Sequence, residues 1–420
     1  MTPGVGAKAD LSASAERTSA LAELLRWLDA GALVLLSATG DDPDRALFTG
    51  RANLGTALVV AKPGATPRLG YFTPMERDEA AATGLDLLTP DDLDLARWHR
   101  DSPQAGAFHA NAVGQALLRC GVGPGRIALA GRLPFGLAQE IVERLGGEGW
   151  TFVSATEPLL TLRRRKSAAE LAEVRRVSAA VVAAFRHVAG RLAATEVRAG
   201  ELWLMGERLR VARLKSEIAE LFARSGLDQP RANIVAPAEE GGVPHSAGTL
   251  DRVLRAAESL VVDLFPRAVL FSDCTRTFCV GDPPPALTAA HAATLAALEL
   301  AHAGARPGAR GWDLQQRICA HFSELGYATP ISAPGTLNGY VHGLGHGVGY
   351  ELHEYPTFKH AAGAEGILAV GDLVTLEPGL YDPDPEGGFG VRLEDLVALH
   401  SDGNENLTAM PYSLDPRAWH

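Results

Sequence analysis

A chain of 420 residues, 46% of them apolar, exceeds what one hydrophobic core usually serves and implies two globular domains. A net charge of −11 and a pI of about 5.6, with no Lys/Arg run long enough to follow a phosphate backbone, exclude nucleic acid as a partner. No segment reaches the ~18 uninterrupted apolar residues of a membrane span, and Cys120, Cys274, Cys279 and Cys319 form no Cys-x-x-Cys pair, which fits a reduced cytoplasm.

Residues 1–14 lack the continuous apolar core of a signal peptide and are expected to be a disordered N-terminus. From Glu16 to Ala30, Leu21, Leu24, Leu25 and Leu28 recur at helical spacing, and Leu33 to Leu36 reads as a buried strand. Further strands are expected at Thr56 to Val60 and Ile127 to Leu129, and helices at Ala107 to Arg119 and Leu137 to Leu145. Residues 15–162 therefore read as an alternating α/β domain. Its His, Asp and Glu residues show no chemically suggestive spacing, so it is assigned to recognition or assembly.

The texture changes at Arg163-Arg164-Arg165-Lys166, which is expected to be a solvated interdomain face. Ser167, with Glu170 three residues on, is a capping box opening a long helix to about Leu192. A second helix is expected from Leu202 to Ala223. After Pro230 the pattern turns to strands: Asn233 to Ala236, Ser259 to Phe265, Val269 to Phe271 and Thr277 to Val280, with His245 in a turn-rich Gly-Gly-Val-Pro-His-Ser. Helices return at Ala289 to Ala303 and Leu314 to Leu325, before a glycine-histidine stretch and two last strands. Residues 163–412 are thus expected to set helices against a twisted, mostly antiparallel sheet, with 413–420 as a C-terminal tail. The fold class is α/β (α+β).

Tyr340 to Pro356 places His342, His346 and His353 among glycines at 343, 345, 347 and 349. That glycine density disfavours a helix and suits close backbone approach to a ligand. In an extended chain His342 and His346 share a face and His353 points the other way, unless a glycine bulge brings the three together. Four carboxylates stand at strand ends: Asp263 after Leu-Val-Val, Asp273 after Val-Leu-Phe-Ser, Glu377 before Pro-Gly, and Glu394 in Val-Arg-Leu-Glu-Asp. A hairpin reversing near Pro266-Arg267-Ala268 sets Asp263 opposite Asp273. Singly, each has an ordinary reading as a turn residue or a surface charge, Glu394 pairing with Arg392 among them. Together, buried anions need a compensating cation. One His and four carboxylates suit Mn²⁺, Co²⁺ or Fe²⁺, with Zn²⁺ also admitted, and are too many for one small ion, so two ions with shared ligands are expected.

In this order Asp263, Asp273, His346, Glu377 and Glu394, within Val-Val-Asp-Leu-Phe-Pro-Arg, Ser-Asp-Cys-Thr-Arg-Thr-Phe, His-Gly-Leu-Gly-His-Gly-Val-Gly, Leu-Glu-Pro-Gly-Leu-Tyr and Val-Arg-Leu-Glu-Asp, resemble the dinuclear metallopeptidases of the pita-bread fold. These are the methionine aminopeptidases, prolidases and Xaa-Pro aminopeptidases. His342 matches the prolidase and Xaa-Pro branch, and Leu47-Phe48-Thr49-Gly50 looks like that branch's smaller creatinase-type N-terminal domain. The resemblance implies that Asp263 chelates one ion, His346 and Glu377 the other, and that Asp273 and Glu394 bridge both. It further implies that a hydroxide between the ions attacks the peptide carbonyl and that Glu377 also accepts the water's proton. His353 would stabilise the tetrahedral intermediate, His245 would lie near the leaving amine, and Arg392 would orient Glu394 or a substrate carboxylate.

The implied enzyme is an Xaa-Pro aminopeptidase or Xaa-Pro dipeptidase, homodimeric and cytoplasmic, with two Mn²⁺ ions and small peptide substrates carrying proline second. The alternatives are a creatinase-like hydrolase of another C–N bond that works without metal, and a non-catalytic binding protein on the same fold. Two features depart from the family pattern. The Asp263 to Asp273 interval is one residue short, which demands a tighter turn or altered bulge, and Cys274 puts an oxidisable thiol beside Asp273.

Overall fold

The computed structural model describes residues 15–359, 363 and 366–419, so the expected disordered segment 1–14 lies outside the described residues. Contacts divide the chain into two compact units between Arg163 and Arg164.

In the first unit six strands form one mixed sheet in the order Asp86–Leu88, Arg68–Tyr71, Ala57–Ala61, Ala32–Ser37, Arg126–Ala130, Thr151–Ser154. Ala32–Ser37 is buried along its whole length and pairs antiparallel with Ala57–Ala61 and parallel with Arg126–Ala130. Such an all-apolar strand needs cover on both faces. One face is covered by the helix Ala105–Arg119, which packs Ala112, Val113, Ala116 and Leu117 against Val34, Leu36, Leu58 and Val60.

The second unit has two apolar cores. The long helix Ala168–Ala193 starts at the expected capping box, with Ser167 and Glu170 reciprocally bonded. Its buried residues Val174, Val177, Val181, Phe185, Val188 and Leu192 follow helical spacing. With the helix Val211–Arg224 it covers the sheet of Ile234–Pro237, Leu260–Leu264 and Cys274–Phe278. The helices Pro285–Gly304 and Gly311–Glu324 share the second core with the sheet that contains Leu373–Leu376 and Asp395–His400. Every strand pairing described in this unit is antiparallel.

Several expectations change. The first third of the expected helix from Leu202 is a three-stranded meander, Glu196–Arg198, Glu201–Leu204 and Glu207–Arg208. Its turns fall at Ala199-Gly200 and Met205-Gly206, all four at positive φ, and Leu202 and Leu204 alternate inward. Val269 to Phe271 is a turn rather than a strand, because Glu173 Oε1 takes the Val269 and Leu270 N–H groups at 2.7 and 3.0 Å. The two last strands become five segments between Leu373 and Asn406.

The basic run is not the solvated face expected: three of its four residues are buried, and Arg165 is exposed. Arg163 lies 3.0 Å from Asp44, Arg164 is paired with Asp372, and Lys166 Nζ is 2.5 Å from Glu354 Oε1 with both side chains fully buried. Nor are residues 413–419 a loose tail: Cys279 N donates to Leu414 O at 2.8 Å, and the buried Trp419 ring lies 4.8 Å from Phe278. All four cysteines are free and buried, and no described helix is long and apolar enough to cross a membrane.

Two glycines of the histidine stretch, Gly345 and Gly347, admit neighbouring backbone. A Cβ on Gly345 would stand 2.1 Å from Thr375 O, and one on Gly347 2.0 Å from Tyr355 O. Gly345→Ala must therefore displace Leu373–Leu376, whose continuation is Glu377, and is expected to lower stability by about 3 kcal/mol. A denaturant midpoint equal to that of the unchanged chain would contradict this packing.

Candidate metal centre

The donors come from two of the sheets of the second unit. Asp263 lies in Leu260–Leu264, where it registers with Thr275. Asp273 is two residues before Thr275, so the two aspartates share a face diagonally rather than standing directly opposite. The short connection closes because Ser272 N returns to Pro266 O at 3.0 Å, while Phe271 N donates to Gly349 O at 2.8 Å. His346, Glu377 and Glu394 belong to the five-stranded sheet or the ends of its strands.

Asp273, His346 and Glu394 offer ligand atoms that all lie within 4.8 Å of one another. His346 Nε2 is 3.7 Å from Asp273 Oδ2 and 3.4 Å from Glu377 Oε1. The ring's Nδ1 donates to Gly347 O at 3.1 Å, which leaves Nε2 as a lone-pair donor facing the carboxylates. Burial, with His353 next to it, pushes His346 down to about 3, so the imidazole is neutral. The register shifts between His346 and Gly347, and His353 sits with its ring centroid 4.1 Å from that of His346, edge to face. The bulge thus brings His353 round.

His342 stands one step away. Its Nδ1 donates to Gly343 O and is 3.9 Å from Glu377 Oε2, while its Nε2 accepts from Tyr381 Oη at 2.7 Å. Burial, then the Arg392 charge, lowers it to about 3. His245 is exposed and is tied to the group through its neighbour, since Pro244 O accepts from Arg392 Nη1 at 3.3 Å.

Of the chain's own carboxylates, Arg392 directly orients Asp263 and not Glu394. Its Nη2 donates to Asp263 Oδ2 at 2.6 Å, its Nη1 to Tyr381 Oη at 3.0 Å and its Nε to Thr275 Oγ1 at 3.0 Å. It reaches Glu394 only through Thr275, whose hydroxyl donates to Glu394 Oε2 at 2.6 Å. Sequence reading passed over Thr275 and Tyr381. Thr275 carries a usable signal, because two residues past Asp273 it must share that residue's face; Tyr381 has none of that kind.

The electrostatics fit divalent cations. Burial and then Glu394, Asp263 and Glu377 push Asp273 well above the ordinary carboxyl range. Burial, Glu377 and Asp263 do the same to Glu394, and burial lifts Glu377 to about 7. Burial opposes charge on Arg392, but the anions around it outweigh that and keep it a cation. Asp263 Oδ1, buried, has no hydrogen-bond partner although Arg392 holds the other oxygen. An orphaned carboxylate oxygen, three carboxyls resisting ionisation and a neutral imidazole form a hard donor set that positive charge would complete.

A family model for metallopeptidase family M24 matches residues 172–401. Over 264 residues the chain is 28% identical to a probable dipeptidase PepE of Mycobacterium tuberculosis, covering 62% of this chain and 63% of that protein. Over 284 residues it is 30% identical to Xaa-Pro aminopeptidase 2 of Streptomyces coelicolor, covering 63% and 58%, and over 207 residues 30% identical to the Xaa-Pro dipeptidase of Pyrococcus furiosus, covering 48% and 54%. The matched segments span less than two thirds of these relatives' length. The fold is that of the prolidase from Pyrococcus horikoshii, at TM-score 0.73 and 20% identity over 95% of this chain and 99% of that one. It is equally that of the X-Pro aminopeptidase from Thermotoga maritima, at TM-score 0.72 and 20% identity over 94% and 98%. Those folds join an N-terminal domain to a C-terminal pita-bread domain, the latter corresponding to the unit that holds the donors. With more than half the sequence under the family model and the donors facing one another on that scaffold, the chain belongs to metallopeptidase family M24.

Proposed function

We propose that this chain hydrolyses the peptide bond that follows the N-terminal residue of short peptides carrying proline second, with two divalent ions held by Asp263, Asp273, His346, Glu377 and Glu394. The observation that carries the reading is the meeting of Asp273, His346 and Glu394 within 4.8 Å, with Glu377 3.4 Å from the same imidazole. The activities for which the relatives are named, Xaa-Pro dipeptidase and Xaa-Pro aminopeptidase, support the substrate class. Mn²⁺ is the first choice for a mainly oxygen set with one imidazole, and a cytoplasmic homodimer is the proposed setting.

Once bound, the ions supply Lewis-acid polarisation of the scissile carbonyl and an acidified water. The protein's part is to hold geometry and move protons. Arg392 fixes Asp263, and Thr275 fixes Glu394. In this reading Glu377, near both His346 and His342, takes the proton of the attacking water, and His353, against the His346 ring, donates to the carbonyl oxygen as charge develops there. Their closeness to His346 supports both roles.

Three outcomes are expected. Exhaustive chelation abolishes hydrolysis of Xaa-Pro peptides and Mn²⁺ restores it; turnover that survives chelation overturns the reading. A series running from Xaa-Pro dipeptides to longer peptides then distinguishes dipeptidase from aminopeptidase, and no cleavage of either leaves the proposal without a substrate.

Asp273→Ala removes a shared ligand and is expected to reduce bound metal from about two ions to about one while weakening the remaining site about 10–100-fold. Unchanged stoichiometry by elemental analysis would remove Asp273 from the ligand set.

The third expectation concerns pH. Glu377 ordinarily titrates at 4.5 and is raised to about 7, so its contribution to the metal-free fold is fully present below about 4.5 and is lost as pH rises through 7. Holding Mn²⁺ would require Glu377 ionised, so binding would release its proton. The gain in melting temperature on adding Mn²⁺ should therefore widen from pH 5 to pH 8, and calorimetry in buffers of different ionisation enthalpy should record proton release. A gain that narrows over that range would contradict the assignment.

A further inference from the structure

Asp273 and Glu394 are carried by different sheets. Asp273 leads into Cys274–Phe278 and Glu394 into Asp395–His400, and each of those strands takes its ladder partners within its own sheet. At the site the direct backbone link between them is Glu394 N to Thr275 O, at 3.0 Å. Alternation along the strand turns Asp273 and Thr275 toward the donors and sends Arg276 to the reverse face. Arg276 is completely buried there.

From behind, the Cys274 thiol donates to Glu394 O at 2.9 Å, and the Arg276 guanidinium joins the two strands more extensively. Nη1 donates to Thr275 O at 2.9 Å and to Glu394 O at 2.6 Å, so one nitrogen ties the main chains of both strands. Nη2 donates to Asp395 Oδ1 at 2.7 Å, and Nε to Pro411 O at 3.1 Å. The plane is set from two sides: the Tyr412 ring lies 4.5 Å from the guanidinium carbon, and Asp395 Oδ2 accepts from Tyr412 Oη at 2.6 Å and His302 Nε2 at 2.8 Å.

We infer that Arg276 is a positioning residue for the metal centre, the clamp that fixes the separation of Asp273 and Glu394 from behind the site. The inference rests on the proposal that both carboxylates serve the ions. A lysine would keep the charge, but three donors on one nitrogen cannot span Glu394 O, Asp395 and Pro411 O as a planar fork does.

The test is titration of the chelator-treated full chain with Mn²⁺ by calorimetry, alongside thermal unfolding. The unchanged chain should bind two ions, and Arg276→Lys should weaken the looser ion at least tenfold. Arg45→Lys is the control for mere stability. Arg45 is another buried arginine that holds main-chain carbonyls, those of Gly40, Leu54 and Gly55, within the first unit. It should lose melting temperature yet match the unchanged chain in both ions. If Arg276→Lys does not fold, Tyr412→Leu, which removes the supporting ring and its bond to Asp395 without stranding a charge, should weaken the looser ion at least threefold.

A folded Arg276→Lys that binds both ions normally overturns the inference. So does a folded Tyr412→Leu with normal binding where the lysine variant fails, or an Arg45→Lys that weakens binding equally. Fewer than two ions on the unchanged chain would instead overturn the two-ion reading, and the inference with it.

Discussion

Carboxylates crowded into one buried volume repel one another, and the second unit is arranged around managing that repulsion. Asp263, Glu377 and Glu394 each raise the cost of ionising another member of the group, and burial raises it further for Asp273, Glu377 and Glu394. Asp263 is treated differently, with one oxygen held by Arg392 at 2.6 Å and the other left without a partner. The same guanidinium touches Tyr381 and Thr275, and through them His342 and Glu394. One cation therefore ties Asp263, Glu394 and His342 together through hydrogen bonds. It does not neutralise the group, and the remaining deficit is what gives the site its appetite for further positive charge.

The location follows from the architecture. Each of the two sheets that carry the donors has its own helices and its own apolar core, so neither needs the other in order to bury its side chains. Where the strand ends of two such layers meet there is little apolar surface left to hide, and polar groups are tolerated there provided they are bonded. The histidine stretch is squeezed against that seam. Gly345 and Gly347 take the carbonyls of Thr375 and Tyr355 where any side chain would stand, and the shift of register at His346 turns its ring toward the carboxylates.

Much of this was legible in the sequence. Carboxylates at the ends of apolar runs, in fixed order around a glycine-flanked histidine, located Asp273, His346, Glu377 and Glu394, because a charge that ends a buried strand has to face something. The glycine spacing also raised the bulge that brings His353 to His346. A second purpose of the glycines was not legible: Gly345 and Gly347 make room for neighbouring strands, and sequence periodicity does not reveal which backbone passes overhead. The meander at Glu196–Arg208 was missed because Leu202 and Leu204 are consistent with a helical repeat until the turns at Ala199-Gly200 and Met205-Gly206 are weighed. The arginines were the hardest to place. Arg163, Arg164 and Lys166 look like solvated surface in a run of four basic residues, and their partners Asp44, Asp372 and Glu354 are far away in the chain.

Those buried pairs raise the question of what they contribute. An ion pair taken out of water returns little net stability, since desolvating both charges costs about as much as their attraction yields. Lys166 with Glu354 and Arg276 with Asp395, all four side chains fully buried, are therefore poor candidates for holding the fold together. Their value is positional. Glu354 directly follows His353, Asp395 directly follows Glu394, and Asp263 is itself the partner of Arg392. Apolar contacts at any of these points would tolerate a slide of an ångström with little change in energy. A buried charge that loses its partner by the same slide is penalised heavily, so the pairs turn approximate packing into fixed coordinates at the points where donor atoms have to converge.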